Sequence, residues 1–328
     1  LNANTTGANN TAVGFQSLDS NTTGATNVAV GLCALLANTT ADDNTSIGGQ
    51  TLSANTTGAC NTALGQGALF TNTTASNNTA IGRHALLLNT TGEVNSAFGA
   101  FALRTNTTGY GNTALGKNSL YTNNGNNNTA VGHEALELNT TGASNTAVGR
   151  ESLTANTTGA SNIALGYRSL SFNTTGCQNV TIGAEAMRLN TTGNFNHAIG
   201  FNALYNNTTG GNNVAIGLCS LFANTTGEGN TAVGTNSLKL NTTPNDNTAV
   251  GRRALCSNTT GANNVAVGAY SLCLNTTASS NTAVGMGALN ANTTGGPNTA
   301  VGQSALTANI SGNVNAAFGD IAASCNTT

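Results

Sequence analysis

The sequence predicts an all-β protein, a parallel β-solenoid (β-helix or β-roll) of about 19 coils of 17 residues, with no caps. Three observations predict it. The first is period: Asn recurs at 4, 21, 38, 55, 72, 89, 106 and 123, a step of 17. One residue is lost in the copy that opens at Asn123, and the step then resumes at 139, 156, 173, 190, 207, 224, 241, 258, 275, 292 and 309. Such a period marks a repeat architecture, here a single repeat domain over 1–328. The second is invariance. With each unit numbered from offset 1 at its first Asn, offsets 1 and 7 are Asn and offset 11 is Gly in all 19 copies. The third is charge placement. All 20 charged residues, 9 Lys plus Arg and 11 Asp plus Glu, fall at offsets 5, 6, 12, 13 or 16. An unpaired buried charge is very costly, so these offsets face water.

Each part of the unit follows in order. "NTTG" opens a turn, and its Gly gives way to Ala41, Ala75, Ala278 and Pro244, which suits an ordinary turn over an obligate left-handed one. The Asn at offset 7 stands just before "TAVG", a short, partly alternating run ending in Gly that reads as a brief strand. Offset 10 is always Val, Ile, Leu or Phe, and offset 15 is Leu except at Met187 and Ala323. These two offsets are expected to stack as the core columns. The Gly at offset 11 is expected to take a backbone angle or a close approach that a Cβ forbids. Seventeen residues are too few for a helical hairpin with its turns. One coil buries about two large side chains, worth about 1.5–3 kcal/mol each. Ordering its backbone costs about 1–2 kcal/mol per residue, so a lone coil does not fold. Stacking at about 4.8 Å per coil supplies the rest, and 19 coils give an expected length on the order of 90 Å.

The two Asn columns carry different expectations. At offset 7 stand Asn10, Asn27, Asn44, Asn61, Asn78, Asn95, Asn112, Asn128, Asn145, Asn162, Asn179, Asn196, Asn213, Asn230, Asn247, Asn264, Asn281, Asn298 and Asn315. They rarely begin an N-x-S/T acceptor (Asn44 and Asn179 do), so a structural amide ladder is expected, each side chain bonding the copies above and below. At offset 1, 18 of 19 copies keep N-x-S/T: Asn4, Asn21, Asn38, Asn55, Asn72, Asn89, Asn106, Asn139, Asn156, Asn173, Asn190, Asn207, Asn224, Asn241, Asn258, Asn275, Asn292 and Asn309. Two readings stand here. One is N-glycosylation, favoured by the "NIS" copy at Asn309, which changes both following residues yet keeps the acceptor pattern. The other is a second Asn ladder flanked by Thr, favoured by crowding, since acceptors about 4.8 Å apart leave little room for a sugar on each.

Composition excludes several function classes. Charged residues are 6% of the chain and formal net charge is −2. That argues against nucleic-acid binding, which needs clustered basic residues. No apolar run approaches the roughly 18 residues of a membrane span, so no membrane insertion is expected. The chain opens on Leu1 without a signal-peptide pattern, which reads as a processed or partial chain. No enzyme activity, metal or cofactor is expected, covalent glycans aside. His84, His133 and His197 are scattered, Asp42 and Asp43 lie twelve copies from Asp246, and no phosphate-loop motif occurs. Among seven Cys, Cys256 and Cys273 share offset 16 in adjacent coils, inside disulfide range, and such a bond would imply an oxidising, extracellular setting.

Surface apolar residues point to association. Phe15, Leu32, Phe201 and Leu218 lie at offset 12, Phe101 and Tyr270 at 13, and Leu36, Phe70, Tyr121, Tyr205 and Phe222 at 16. The small columns at offsets 9 and 11 form another candidate face, against a second chain or the opposite wall. The first and last units look like the middle, so the expectation is either a rod that is part of a longer chain or self-association end to end. The unit "NTAVGxxxLxxNTTGxx" resembles repeats of bacterial and viral tail-fibre-like proteins and the "NSVAIG"-type head repeats of trimeric autotransporter adhesins. That resemblance implies an extracellular fibrous protein on a cell or virion surface, with a trimer as one expected state. The leading expectation is a structural subunit of an extracellular filament, self-associating end to end and laterally. The alternatives are an adhesin or tail-fibre shaft presenting a binding tip, and an ice-binding solenoid using its Thr columns at offsets 2 and 3.

Overall fold

A computed structural model describes residues 1–328. The chain forms 19 three-residue strands, from β1 (Thr11–Val13) to β19 (Ala316–Phe318), and no helix. Every strand occupies offsets 8–10, so the expected all-β parallel β-solenoid is the observed fold. The chain divides into two compact units, Leu1–Asn162 and Ile163–Thr328. The first holds β1 to β9 (Thr146–Val148) and the second β10 (Ile163–Leu165) to β19. Within each unit, neighbouring strands pair in parallel, one repeat out of step. Thr11, Ala12 and Val13 face Val28, Ala29 and Val30, and Val265, Ala266 and Val267 face Thr282, Ala283 and Val284.

Three residues are a short strand, but the ladder does not stop at them. In the first unit the Thr22 and Thr23 amides both donate to the Thr39 carbonyl, at 2.9 and 3.1 Å. The Leu35 amide donates to Thr51 and Ala37 to Ser53, at 3.0 and 3.1 Å. Gly31 and Cys33 donate the other way, to Val13 at 2.8 Å and Phe15 at 3.0 Å. Bonds therefore leave each coil toward both neighbours at several stations around its circumference. This satisfies backbone groups that a lone coil would leave to water, and it is the physical reason a coil needs its neighbours.

The interior corrects one expectation. Offset 15 is core as expected: Leu18, Leu35, Leu52 and Leu69 are wholly buried. Offset 10 is not. Val13 is 57% exposed, Leu64 43% and Leu115 49%, while the Ala between the flanking strand residues is buried, as at Ala63 and Ala114. Alternation along a strand puts offsets 8 and 10 on one face and 9 on the other. The interior already holds the Leu column and both Asn columns, so a methyl fits there and an isobutyl group does not. Of the two partners expected for the small offset-9 column, the opposite wall is the one found, and offset 14 forms it. Offset 9 departs from Ala only at Ser46 and Thr181. Ser46 Oγ lies 2.5 Å from Thr51 Oγ1, and Ser169 Oγ donates to Thr181 Oγ1 at 2.7 Å. Each polar intruder in the core thus has a hydroxyl partner across it, which removes the desolvation penalty.

The invariant Gly has both constraints expected of it. Gly31 has φ +137°, and a Cβ there would lie 2.4 Å from the Gly48 carbonyl oxygen. The leucines hold a surprise. Leu18, Leu35 and Leu52 are left-handed, at φ 51°, 51° and 47°. That conformation costs a branched residue about 1–3 kcal/mol and persists only where surroundings impose it; here backbone bonds hold it, the Leu35 amide donating to the Thr51 carbonyl at 3.0 Å and the Asn38 amide to the Leu35 carbonyl at 3.3 Å. The corner at offset 13 and the turn at offset 6 are left-handed too, as at Gln50 and Asn77, both at φ 60°.

Candidate functional site: asparagine columns and the outward sheet face

The offset-7 column is an amide ladder. The Asn27 backbone N–H donates to Asn10 Oδ1 at 2.9 Å, and Asn27 Nδ2 donates to the Ala41 carbonyl at 2.8 Å. The pattern repeats at Asn44, which takes Asn27 Oδ1 at 3.0 Å and the Gly58 carbonyl at 2.9 Å. It recurs in the second unit, where Asn213 takes Asn196 Oδ1 at 3.0 Å and the Gly227 carbonyl at 2.8 Å. Only a short side chain with both a donor and an acceptor can do this, which accounts for invariance without any external ligand.

The offset-1 column is a second ladder. Asn38 Nδ2 donates to Asn21 Oδ1 at 2.9 Å and to the Ala41 carbonyl at 3.1 Å. Ala41 O therefore receives Asn38 from its own coil and Asn27 from the coil before, and the two ladders meet at offset 4. Asn55, Asn72, Asn89 and Asn106 repeat the pair of bonds in the first unit, and Asn190, Asn207, Asn224 and Asn258 in the second. All are wholly buried. An amide has two hydrogens, and both are spent. A folded coil thus leaves no hydrogen on this nitrogen for a sugar to replace. Asn123, which has no acceptor motif, makes the same bonds, to Asn106 Oδ1 at 3.3 Å and Gly125 O at 2.8 Å. The first Thr of the motif is tied as well: Thr22 Oγ1 donates to the Thr39 carbonyl at 3.0 Å. "NTT" therefore recurs where backbone carbonyls need donors.

Outside, the sheet presents offsets 8 and 10, free of Asp, Glu, Lys and Arg in every copy. The first unit exposes Ile47 and Phe98 beside Leu64 and Leu115, and the second exposes Ile182, Ile216, Val250 and Val284. At the corner, Phe15, Leu32, Phe201 and Leu218 are exposed as expected from their shared column with charge. Other corner aromatics pack on arginine. Arg104 lies over Phe101 and Tyr121, 5.9 and 5.5 Å from the ring centroids, and donates to Tyr121 Oη at 2.6 Å. Arg188 repeats the arrangement with Phe172 and Tyr205 in the second unit. An open hollow of about 400 Å3 is lined by Phe101, Lys117, Asn118, Tyr121 and Glu137. Partial burial there, with Glu134 nearby, raises the Glu137 pKa. Burial and the Arg83 and Arg104 charges lower that of His84.

The remaining candidates have structural partners. Asp42 Oδ1 accepts the Ala25 amide at 2.7 Å, and Asp43 accepts the Thr26 hydroxyl, so both acids cap turn donors of the previous coil. No three His, Cys, Asp or Glu side chains gather as metal ligands. Cys256 and Cys273 are free thiols; burial raises both pKa values, and Cys273 is raised further by Cys256. No helix is long and apolar enough to cross a membrane. No family model matches the chain, and no curated protein is significantly similar to it.

Proposed function

We propose that the chain is a structural shaft, a fibre-forming protein of a cell or virion surface whose coils associate with further copies of itself. The observation that carries this reading is the outward aliphatic column at offset 10. A wall that repeats Val, Ile, Leu or Phe in every copy, with no Asp, Glu, Lys or Arg in the strand, is an apolar stripe and not scattered surface residues. A second copy of the same stripe covers it without unpaired charge. Each side chain so covered contributes up to about 1.5–3 kcal/mol. Sedimentation velocity on the full chain tests this. The wild type is expected to show concentration-dependent association, and Ile47→Thr/Leu64→Thr/Ile81→Thr to weaken it while leaving the circular dichroism unchanged. A wild type that stays monomeric up to high concentration overturns the reading.

An ice-binding solenoid has less support. The offset-2 Thr hydroxyls donate to carbonyls of the next coil, so they are not free to order water. The outward face varies in height, from Val131 to Phe98 at offset 10, and replaces Thr by Ile163, Val180 and His197 at offset 8. A flat hydroxyl lattice is absent, and no thermal hysteresis is expected from the purified protein.

A further inference from the structure

The column that looks like a row of glycosylation acceptors is closed, and a second, hidden set of acceptors is open. Asn9-Asn10-Thr11, Asn77-Asn78-Thr79 and Asn127-Asn128-Thr129 each read N-x-T, starting at offset 6. Their geometry is the reverse of the offset-1 motif. Asn9, Asn77 and Asn127 are exposed on a left-handed turn, at φ 57°, 60° and 57°. None of their Nδ2 groups is engaged by another part of the chain. The middle residue of each motif is the offset-7 Asn, anchored inward by its ladder, as in the Asn78 Nδ2 bond to the Gly92 carbonyl at 3.0 Å. The Thr two residues on opens a strand, on the outward face. Asn and Thr therefore stand outside together while the residue between them is held in, which is the presentation a transferase needs to read both.

We propose that Asn9, Asn77 and Asn127 are the N-glycan acceptor sites of the folded chain, and that Asn21 to Asn309 of the offset-1 column are shut. The transfer uses a nucleotide-activated hexose. The Asn Nδ2 attacks the anomeric carbon, the bond from that carbon to the diphosphate oxygen breaks, the nucleotide diphosphate leaves, and the amide proton passes to an enzyme base. At offset 1 that reaction would have to take a hydrogen already donated to the Asn of the preceding coil or to the offset-4 carbonyl. Of the other N-x-S/T motifs, two are closed by burial and one, at Asn206, has one amide hydrogen tied. Asn44 and Asn179 are wholly buried, and Asn206 Nδ2 donates to the Phe222 carbonyl at 3.0 Å. The molecule also contains its own controls. Asn212 and Asn263 occupy the same exposed turn, both at φ 57°, but Val214 and Val265 stand where the hydroxyl is required.

The test is a soluble N-glucosyltransferase with UDP-glucose, applied to the purified full chain and read by glycopeptide mass spectrometry. Asn4→Gln and Asn326→Gln silence the two members that end the column, and Asn206→Gln the half-buried motif with one hydrogen untied. The folded chain is expected to gain hexose at Asn9, Asn77 and Asn127 only, and heat-denatured chain to gain it in the offset-1 column as well. Thr11→Ala, Thr79→Ala and Thr129→Ala each remove one site, and Val214→Thr and Val265→Thr each create one. Because these side chains face outward, the variants test recognition and not folding. Hexose on any of Asn21 to Asn309 in the folded chain overturns the proposal. So does an unmodified Asn9, Asn77 and Asn127 in a folded chain whose denatured form is modified.

Discussion

The coil that opens at Asn123 has 16 residues where its neighbours have 17, and the comparison separates what the fold requires from what it usually contains. In a full coil, Thr107 O accepts four bonds from the coil before: Thr90 N at 3.0 Å, Thr91 N at 3.1 Å, Gly92 N at 3.3 Å and Thr90 Oγ1 at 2.9 Å. In the short coil the turn is pulled in, and Asn124 supplies its side-chain oxygen instead. Asn124 Oδ1 accepts Thr107 N at 2.7 Å, Thr107 Oγ1 at 2.8 Å and Thr108 N at 3.3 Å. The acceptor survives and the Thr pair does not. The deletion spares Asn123, Asn128 and Gly132, all buried or left-handed, and falls on a turn facing water. The inner columns are thus set by geometry, and the turn letters by the hydrogen-bonding role they fill.

The largest break in that comparison should come from inside. Asn61→Ala leaves the buried Asn78 amide without its acceptor and removes the donor to Ala75 O. Ala75 O keeps its bond from Asn72 Nδ2 at 2.9 Å, so the Asn78 amide is the group orphaned; that costs about 1–3 kcal/mol, and the lost volume adds to it, for about 2–4 kcal/mol in total. Urea unfolding followed by circular dichroism should show the midpoint falling. At the short coil the effect should be smaller, because water reaches the site. Asn124→Ala is expected to cost about 1 kcal/mol, and Asn124→Asp to recover most of it by restoring an oxygen in the same place.

How much of this was legible follows from which physical rule governs each column. The period, the strand at offsets 8–10, the Gly constraint, the Leu core and the offset-7 ladder were all readable, because 19 internal copies act as an alignment. The facing of the strand was misread. Val and Leu at offset 10 are larger and more apolar than Ala at 9, and size pointed inward. What decided otherwise was the space already filled by two Asn columns and Leu, which a one-dimensional pattern does not show. The left-handed leucines were not legible at all, since left-handed backbone is expected of Gly or Asn and not of Leu. The three offset-6 acceptors were in plain view in the letters. They were masked by the more frequent motif at offset 1, and only burial tells the two apart.

The smaller tests act on the exposed side of the coil. Gln50 is exposed at φ 60°, and Gly287 holds the same column at φ 67°. Its amide bond to the Leu32 carbonyl at 2.7 Å does not involve the side chain. Gln50→Gly should relieve about 1–2 kcal/mol of left-handed strain. It also adds about 0.5–1 kcal/mol of backbone entropy to the unfolded state, so a net gain of up to about 1.5 kcal/mol is expected from the urea midpoint. The smallest effect is electrostatic. Partial burial and the Glu134 charge raise the Glu137 pKa above its ordinary value, so folding favours the protonated acid. The full stability contribution is present below the unfolded pKa and is lost as pH rises through the folded one. Glu137→Gln stays neutral throughout, so it should match wild type in acid and exceed it at neutral pH; solvent screens the charge of this incompletely buried side chain, so the gain is no more than ~0.5 kcal/mol. Equal differences at both pH values would assign the effect to packing in the hollow and not to charge.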